Sequence, residues 1–233
     1  MRTYLSFLFI FCGLQITIAQ PLQHLVPEQS HPTPLIYTEH YYKRFIHFMD
    51  EAPIINNDIV ILGNSLTENV GNWAARLSNK HVRNRGIIGD EVMGVYDRLH
   101  QILPGHPAKL FLLIGVNDIS HGLTSDSIVS MIRTTVERIR KESPDTRLYL
   151  QSLLPINESF GRYKRLTGKT SMIPEINKQL EALAKEKGLT YINLFPLFTE
   201  KGSNVLRADL TTDGLHLKEE GYKIWVKAIK KKI

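Results

Sequence analysis

Five short runs of mainly apolar residues, separated by stretches of helical character, constrain this chain more than any other feature. The runs cover residues 58–62, 81–85, 109–114, 148–154 and 189–194, and the second is the least apolar. Short runs rich in Ile, Val and Leu are typical of strands buried on both faces of a parallel sheet. Strands that alternate with helices predict an α/β protein with right-handed crossovers and helices on both faces of the sheet.

The stretches between the runs predict the helices. They cover residues 73–77, 94–103, 125–141 and 174–187. A further amphipathic helix is predicted at residues 38–50, where Tyr41, Phe45 and Phe48 recur at helical spacing. The chain has 233 residues, of which 42% are hydrophobic, enough for the core of one domain. We expect that domain to span residues 38–233.

The first 37 residues differ from the rest of the chain in composition. Residues 1–19 contain a charged start, an apolar run and small residues before a cleavage point, as in a secretory signal peptide. Residues 20–37 are rich in Pro, Gln and His and indicate an extended leader. The apolar run is shorter than the roughly 20 residues of a membrane-spanning helix, although an uncleaved anchor remains an alternative. We expect export to the periplasm or the medium, without stable membrane insertion after cleavage.

The single cysteine and the net charge limit the chemistry. Cys12 lies in the predicted signal peptide, so the mature chain would have no disulfide, thiol nucleophile or thiolate metal site. Much of the formal net charge of +6 comes from lysines near the end of a predicted C-terminal helix. Aromatic residues are not interleaved with them, which favours a solvated helix end over a nucleic-acid surface.

A serine follows the first predicted strand. The sequence there is Gly63-Asn64-Ser65-Leu66-Thr67. A tight turn from strand to helix would bring the Ser65 hydroxyl to the edge of the sheet, beside free N–H groups at the start of the helix. In isolation, this motif favours a helix-capping serine over a nucleophile.

Potential oxyanion donors follow the next two strands. Gly89 lies after the second strand, and a glycine allows its backbone N–H to approach a substrate oxygen closely. Asn117 follows the third strand, where its side-chain NH₂ can point at the same oxygen. Each residue alone is also an ordinary turn former.

An acid and a base occur together near the C-terminus. Asp213 precedes His216 by three residues, so it can reach the Nδ1 atom of His216 and leave Nε2 free to accept a proton from a serine. In parallel sheets of this kind, ligands bind beyond the carboxyl ends of the strands. Ser65, Gly89, Asn117, Asp213 and His216 together supply a nucleophile, oxyanion donors, an orienting acid and a base at that edge.

These blocks, in this order, resemble the SGNH hydrolases, which are also called GDSL esterases and lipases. The resemblance extends over about residues 41–225. It implies a three-layer flavodoxin-like sandwich with strand order 2-1-3-4-5, a catalytic triad of Ser65, Asp213 and His216, and an oxyanion hole formed by Ser65, Gly89 and Asn117. Asn64 stands where the family name has aspartate, but asparagine can make most of the same turn hydrogen bonds.

Other catalytic classes lack their motifs in this chain. No serine lies in the Gly-x-Ser-x-Gly elbow of the α/β-hydrolases. A metalloprotease helix motif and a phosphate-binding Gly-x-x-x-x-Gly-Lys loop are also missing. We therefore expect neither a cofactor nor a metal.

The substrate is predicted mainly from the resemblance. Residues 62–66, 84–99 and 112–120 look most like exported bacterial proteins related to platelet-activating-factor acetylhydrolase and labelled sialate O-acetylesterases. This implies removal of small acyl groups, acetyl above all, from a sugar. Arg162, Tyr163 and Arg165 lie near the predicted active edge and can contact a sugar ring or a carboxylate. A solvated loop before a helix explains them at least as well.

Two alternatives to a sugar acetylesterase remain open. A lysophospholipase or thioesterase would use the same five residues on other acyl esters. A carbohydrate-binding protein on an esterase scaffold would keep the fold without turnover, although an intact set of catalytic residues argues against it. The oligomeric state is not predicted by any pattern in the sequence.

Overall fold

The computed structural model describes residues 37–233, whose core is a parallel sheet of five strands. The strands are β1 (Ile59–Gly63), β2 (Val82–Gly86), β3 (Lys109–Leu113), β4 (Arg147–Gln151) and β5 (Thr190–Ile192). They lie in the order β2-β1-β3-β4-β5. The expected α/β class and strand order are therefore confirmed. The predicted signal peptide with Cys12, and the leader as far as residue 36, lie outside the described residues.

Helices cover both faces of this sheet. They are α1 (Glu39–Asp50), α2 (Ser65–Glu68), α3 (Trp73–Leu77), α4 (Val92–Asp97), α5 (Val116–Ser120), α6 (Ser125–Glu142), α7 (Met172–Glu186) and α8 (Glu219–Lys230). Among these helices of residues 37–233, none combines the length and apolar character needed to cross a membrane.

Alternate residues of the buried strands contribute to separate cores, because successive strand side chains point to opposite faces. On one face, Val60 and Leu62 pack in a cluster with residues of α4, α6 and α7. On the other face, Ile61 packs in a cluster with Trp73 of α3 and Trp225 of α8. The two indole rings meet edge to face, with centroids 5.3 Å apart. The sheet is thus held between two apolar layers.

The register of the central strands determines where the site forms. Gly63 at the end of β1 pairs with Gly86 of β2 on one side and with Leu113 of β3 on the other. The segments that follow these three strands therefore leave the sheet side by side. Gly63 has no room for a side chain, because a Cβ atom there would lie 2.4 Å from the carbonyl oxygen of Leu113.

Strands β4 and β5 are shorter than the apolar runs predicted. Strand β4 ends at Gln151, before the end of the run at 148–154. Beyond it, the side chain of Asn177 from α7 replaces a neighbouring strand as the hydrogen-bond partner of the backbone. Its Oδ1 accepts from the Leu153 N–H at 2.7 Å, and its Nδ2 donates to the Leu153 carbonyl at 3.0 Å. Strand β5 ends at Ile192, before the end of the run at 189–194, because the Leu194 N–H donates to the hydroxyl of Ser152, at 2.9 Å, and not to a neighbouring strand.

Two helix boundaries also differ from those predicted. The helix expected at 94–103 begins earlier, as α4, and then tightens into a 3₁₀ helix at Arg98–Gln101. There the Nδ1 atom of His100 hydrogen-bonds to the Asp97 carbonyl at 2.7 Å. In a continuing α-helix, that carbonyl would accept the backbone N–H four residues later. Helix α7 begins two residues before Pro174 rather than at it. Proline is tolerated in this first turn because the N–H groups there have no intrahelical partner, so its missing N–H removes no helix hydrogen bond.

Candidate active site

Ser65 is the first residue of helix α2, directly beyond the end of β1. The sequence left open whether this serine caps the helix, but Asn64 is the N-cap, and its Oδ1 accepts a hydrogen bond from the Leu66 N–H at 3.0 Å. The Ser65 hydroxyl instead lies 2.9 Å from Nε2 of His216. Asn64 therefore supplies the turn hydrogen bond that the aspartate of the family name would make, and the serine hydroxyl is available for other chemistry.

His216 and Asp213 lie in a tight loop before α8. The His216 Nδ1 atom is 2.8 Å from Oδ2 of Asp213, and Oδ1 of the same carboxylate accepts the His216 N–H at 2.7 Å. The Thr211 hydroxyl stabilises the loop, because it accepts the Gly214 N–H and donates to the His216 carbonyl. Serine, imidazole and carboxylate thus form one continuous series of hydrogen bonds.

The ionisation of Asp213 determines which imidazole nitrogen carries the proton. Partial burial raises the pKa of this carboxyl, but hydrogen bonds from the His216 ring and from two backbone N–H groups outweigh burial, so the pKa lies below its ordinary value. An ionised Asp213 accepts the Nδ1–H of His216. The Nε2 atom is then free to accept the proton of Ser65.

Three donors without a complete set of partners lie where strands β1, β2 and β3 end. Within residues 37–233, neither the Ser65 N–H nor the Gly89 N–H donates a hydrogen bond. Asn117 donates one Nδ2 hydrogen to the Asp90 carbonyl at 2.8 Å, which leaves its second hydrogen available. Gly89 has a φ of +82°, a conformation that glycine adopts readily. Such donors can stabilise an oxygen that gains negative charge.

A buried ion pair joins this part of the site to the nucleophile strand, and the sequence did not predict it. The Arg98 Nε atom donates to Oδ2 of Asp90 at 2.8 Å, and Nη2 of the same side chain donates to the Gly63 carbonyl at 3.0 Å. The arginine side chain is 0% exposed and the aspartate 2%. Arg98 therefore holds Asp90, which follows Gly89, close to Gly63, which precedes Asn64.

Burial also perturbs the acidic residues of this region. Burial raises the pKa of Asp90 to about 6, against the opposing effect of Arg98. Burial and the charge of Glu91 raise the pKa of Asp118 to about 7. The Asp118 carboxylate accepts the N–H of Val92 at the start of α4, with both oxygens within 3.3 Å of it. Asp118 thereby fixes the start of α4, the helix that follows Gly89.

Glu68, the last residue of α2, hydrogen-bonds to the stretch of backbone that contains Gly89. Its Oε2 atom accepts the N–H of Ile88, the residue before Gly89, at 2.7 Å. On the other side, the carboxylate contacts His40 at 2.9 Å and Arg44 at 3.4 Å, both on α1. Glu68 could not be identified from the sequence, because neither its spacing nor its residue type distinguishes it from an ordinary surface glutamate.

The basic residues predicted to contact substrate occupy different environments. Arg162 and Arg165 are exposed on the connection between β4 and α7. Tyr163 is partly buried, and its hydroxyl donates to Oδ2 of Asp213 at 2.9 Å. The structure thus brings Tyr163, but neither arginine, into direct contact with the pair of Asp213 and His216.

Metal-binding geometry is absent from the described part of the chain. Among residues 37–233, no group of three or more His, Cys, Asp and Glu side chains is arranged to hold a metal ion. The hydrogen-bonded set of Ser65, His216 and Asp213 can perform acyl transfer with its own proton acceptor.

Comparisons with known proteins agree with this geometry. A model of the GDSL-like lipase/acylhydrolase family matches residues 61–224. The α1 subunit of platelet-activating factor acetylhydrolase IB from Bos taurus is 25% identical over 168 residues, which are 71% of this chain and 70% of that protein. A GDSL-like lipase from Bacteroides thetaiotaomicron superposes with a TM-score of 0.71 at 23% identity, over 82% of this chain and 96% of that one.

An acetyl xylan esterase, AlAXEase, shares the fold as well. It superposes with a TM-score of 0.62 at 19% identity, over 76% of this chain and 99% of that one. The structural likenesses establish the fold, and the family model, which matches more than half of the chain, establishes the class. The chain is an ester hydrolase that belongs to the GDSL-like lipase/acylhydrolase family.

Proposed function

We propose that this protein is an exported serine esterase that removes short acyl groups, acetyl above all, from carbohydrates. The observation that carries the proposal is the series of contacts from the Ser65 hydroxyl to His216, at 2.9 Å, and from His216 to Asp213, at 2.8 Å. These are the distances at which a proton passes between a nucleophile and its base.

The reaction proceeds in two steps. His216 Nε2 accepts the Ser65 proton while the serine oxygen forms a bond to the ester carbonyl carbon. The tetrahedral intermediate collapses when the bond to the alcohol oxygen breaks, and His216 returns the proton to that alcohol. Water then attacks the acyl-serine with His216 again as base, which releases the acid and restores the hydroxyl. Asp213 remains ionised and orients the imidazole throughout.

Negative charge develops on the carbonyl oxygen in both steps. The N–H groups of Ser65 and Gly89 and the free Nδ2 hydrogen of Asn117 are its donors in this proposal. The contacts of Asp90 with Arg98 and of Ile88 with Glu68 hold these donors in place before substrate arrives. Donors that are fixed in advance need no reorganisation during the reaction.

A short acyl group is supported by the names of similar proteins. The names of two similar proteins, a platelet-activating factor acetylhydrolase and an acetyl xylan esterase, share the acetyl group and differ in the alcohol.

A sugar as the alcohol is supported by the exposed basic residues of the connection between β4 and α7. Arg162 lines a small cavity together with Tyr163 and Asp213. Arg162 and Arg165 are both exposed, so both can bind an acidic sugar such as a sialic acid. The likeness to a platelet-activating factor acetylhydrolase favours a second candidate, the hydrolysis of acetylated or lysophospholipid esters.

The proposed function is tested by acetate release from a panel of substrates. The panel contains O-acetylated sialic acids, acetylated xylan, acetylated phospholipid and aryl esters of increasing chain length, with Ser65→Ala as control. We expect release from at least one sugar, a steep fall beyond the shortest acyl chains and loss of release in Ser65→Ala. Full activity in Ser65→Ala would reject the mechanism, and release from lipid alone would reject the sugar.

Export is a separate part of the proposal, supported by the composition of residues 1–19. Expression of the whole chain in a bacterial host, followed by fractionation and mass spectrometry of the N-terminus, tests it. We expect a periplasmic or secreted product cut after Ala19. Recovery of the uncut chain in the membrane fraction would instead indicate an anchor.

A further inference from the structure

We infer that Tyr163 is a positioning residue of the acyl-transfer site, whose hydroxyl holds Asp213 and His216 in reactive geometry instead of contacting substrate. The inference rests on the proposed function, because it assigns Tyr163 a role in the same reaction.

The Tyr163 hydroxyl lies where the carboxylate and the imidazole meet. It donates to Oδ2 of Asp213 at 2.9 Å and is 3.0 Å from Nδ1 of His216. The phenol and imidazole rings meet edge to face, with centroids 5.7 Å apart and an interplanar angle of 70°. The oxygen of Tyr163, the nitrogen of His216 and Oδ2 of Asp213 therefore form a closed triangle of short contacts.

With this contact the Asp213 carboxylate is saturated. Its Oδ1 atom accepts the N–H groups of Leu215, at 3.0 Å, and of His216, at 2.7 Å. Its Oδ2 atom accepts the His216 Nδ1–H and the Tyr163 hydroxyl. An ionised carboxylate has about four acceptor positions, and all of them are used here. The carboxylate cannot rotate without losing several hydrogen bonds, which fixes the orientation of the imidazole.

The hydroxyl remains a donor under the conditions of the reaction. Partial burial and the nearby charge of Asp213 raise the pKa of Tyr163 to about 12, so the phenol keeps its proton at neutral pH. When His216 accepts the serine proton, the positive charge on the ring must be balanced by an ionised Asp213. A hydroxyl that donates to Asp213 keeps that carboxylate ionised and in place.

The backbone around Tyr163 is anchored on both sides. Before it, the Asn157 N–H donates to the Gly214 carbonyl at 2.8 Å, inside the loop that carries Asp213. After it, Leu166 is buried in the core. The Glu158 carboxylate joins the two ends of the connection, because it accepts the Gly168 N–H at 2.6 Å. The phenol is therefore delivered to the triad by an ordered connection.

The substitution Tyr163→Phe tests this role, because it removes the hydroxyl and keeps the ring against His216. We expect kcat on an acetyl ester to fall roughly ten-fold, as for the loss of one hydrogen bond to a charged group, with KM unchanged. Tyr191→Phe is the matched control, because it removes a hydroxyl bonded to the Asn177 carbonyl, at 3.1 Å, outside the site. That control should keep the wild-type kcat.

A substrate contact would give the opposite pattern, since it would raise KM and leave kcat unchanged. That pattern, or wild-type values for both constants, would overturn the inference. A second measurement does not depend on turnover. The ¹H NMR chemical shift of the His216 Nδ1 proton should change in Tyr163→Phe and remain at its wild-type value in Tyr191→Phe. An unmoved resonance in both variants would also overturn it.

The failure of this inference is distinguishable from the failure of the proposed function. Ser65→Ala in the same assay reports on the function, whereas Tyr163→Phe reports on the positioning role. An inactive Ser65→Ala together with a fully active Tyr163→Phe would reject the role of Tyr163 alone. A wild-type rate in Ser65→Ala would reject both.

Discussion

At the scale of single residues, Asn117 has the most clearly divided task. One Nδ2 hydrogen is used by the Asp90 carbonyl, and the other is left for a ligand. We predict that Asn117→Ala lowers kcat by about 10² to 10³, because one oxyanion donor is lost, and changes KM little. Steady-state kinetics on a short acyl ester measures both constants.

Asn72→Ala is the matched control for that prediction. Asn72 caps helix α3 by accepting the Ala75 N–H at 2.9 Å, and it lies on the surface. Its loss should cost about 1 kcal/mol of stability and leave kcat unchanged. If Asn117→Ala kept the wild-type kcat, this asparagine would not be an oxyanion donor.

The residues of the site differ in how far the sequence reveals them. Asp213 and His216 could be selected because their spacing of three residues implies a contact, and Ser65 because its block, read with the others, resembles a known family. Tyr163 was selected only as a substrate contact, and Arg98 was not selected. The partners of both residues lie 8 to 53 residues away and are reached only through the tertiary fold, so no local pattern indicates these contacts.

At the scale of elements, the segments that follow β1 and β2 are joined by Arg98. We predict that Arg98→Met lowers the free energy of unfolding by about 3 to 5 kcal/mol, because it leaves the buried charge of Asp90 without its partner. Urea denaturation measures the change. A loss below about 1 kcal/mol would mean that the pair does not hold the two segments together.

Arg133→Met is the matched control for this ion pair. Arg133 pairs with Glu186 on the surface, where the two side chains are 36% and 52% exposed. Surface pairs of this kind contribute roughly 0 to 1 kcal/mol. The contrast between the two variants separates the effect of burial from that of losing an arginine.

Element boundaries were predicted less well than element types. The run at 148–154 resumes with Leu153 and Leu154 after the polar pair Gln151 and Ser152, so its pattern does not show that the strand ends at Gln151. The end depends on Asn177, a side chain of α7 that hydrogen-bonds to the backbone of Leu153. Such competition between side-chain and strand hydrogen bonds is set by packing and not by local sequence.

At the scale of the whole molecule, the buried carboxyl of Asp118 links stability to pH. Its pKa is raised from 3.8 to about 7, so between these values the folded protein binds more protons there than the unfolded chain does. The stability associated with this group is fully present below its unfolded pKa and is lost as pH rises through about 7.

We predict that Asp118→Asn removes this part of the pH dependence. Asparagine can still accept the Val92 N–H through Oδ1, so the fold is kept. Between about pH 4 and pH 7, the variant should gain stability relative to the wild type by at least roughly 1 kcal/mol, since one pKa unit corresponds to about 1.4 kcal/mol. Parallel unfolding curves for the two proteins across this range would contradict the prediction.

The overall architecture could be predicted because it depends on patterns that repeat along the chain. Short apolar runs and helical stretches alternate five times, and this alternation alone indicates a parallel α/β sheet. The strand order came from the family resemblance, because periodicity does not specify which strands are neighbours. The contacts of Glu68 with α1 and with Ile88 follow only after the layers are assembled.

Covalent labelling of Ser65 tests the central claim most directly. An alkyl fluorophosphonate reacts with a serine that is activated by its neighbouring base, and intact-mass and peptide mass spectrometry identify the modified residue. We predict one adduct per chain, on Ser65, formed much more slowly in His216→Asn and absent in Ser65→Ala. An unmodified Ser65, or equal labelling rates in wild type and His216→Asn, would contradict the account.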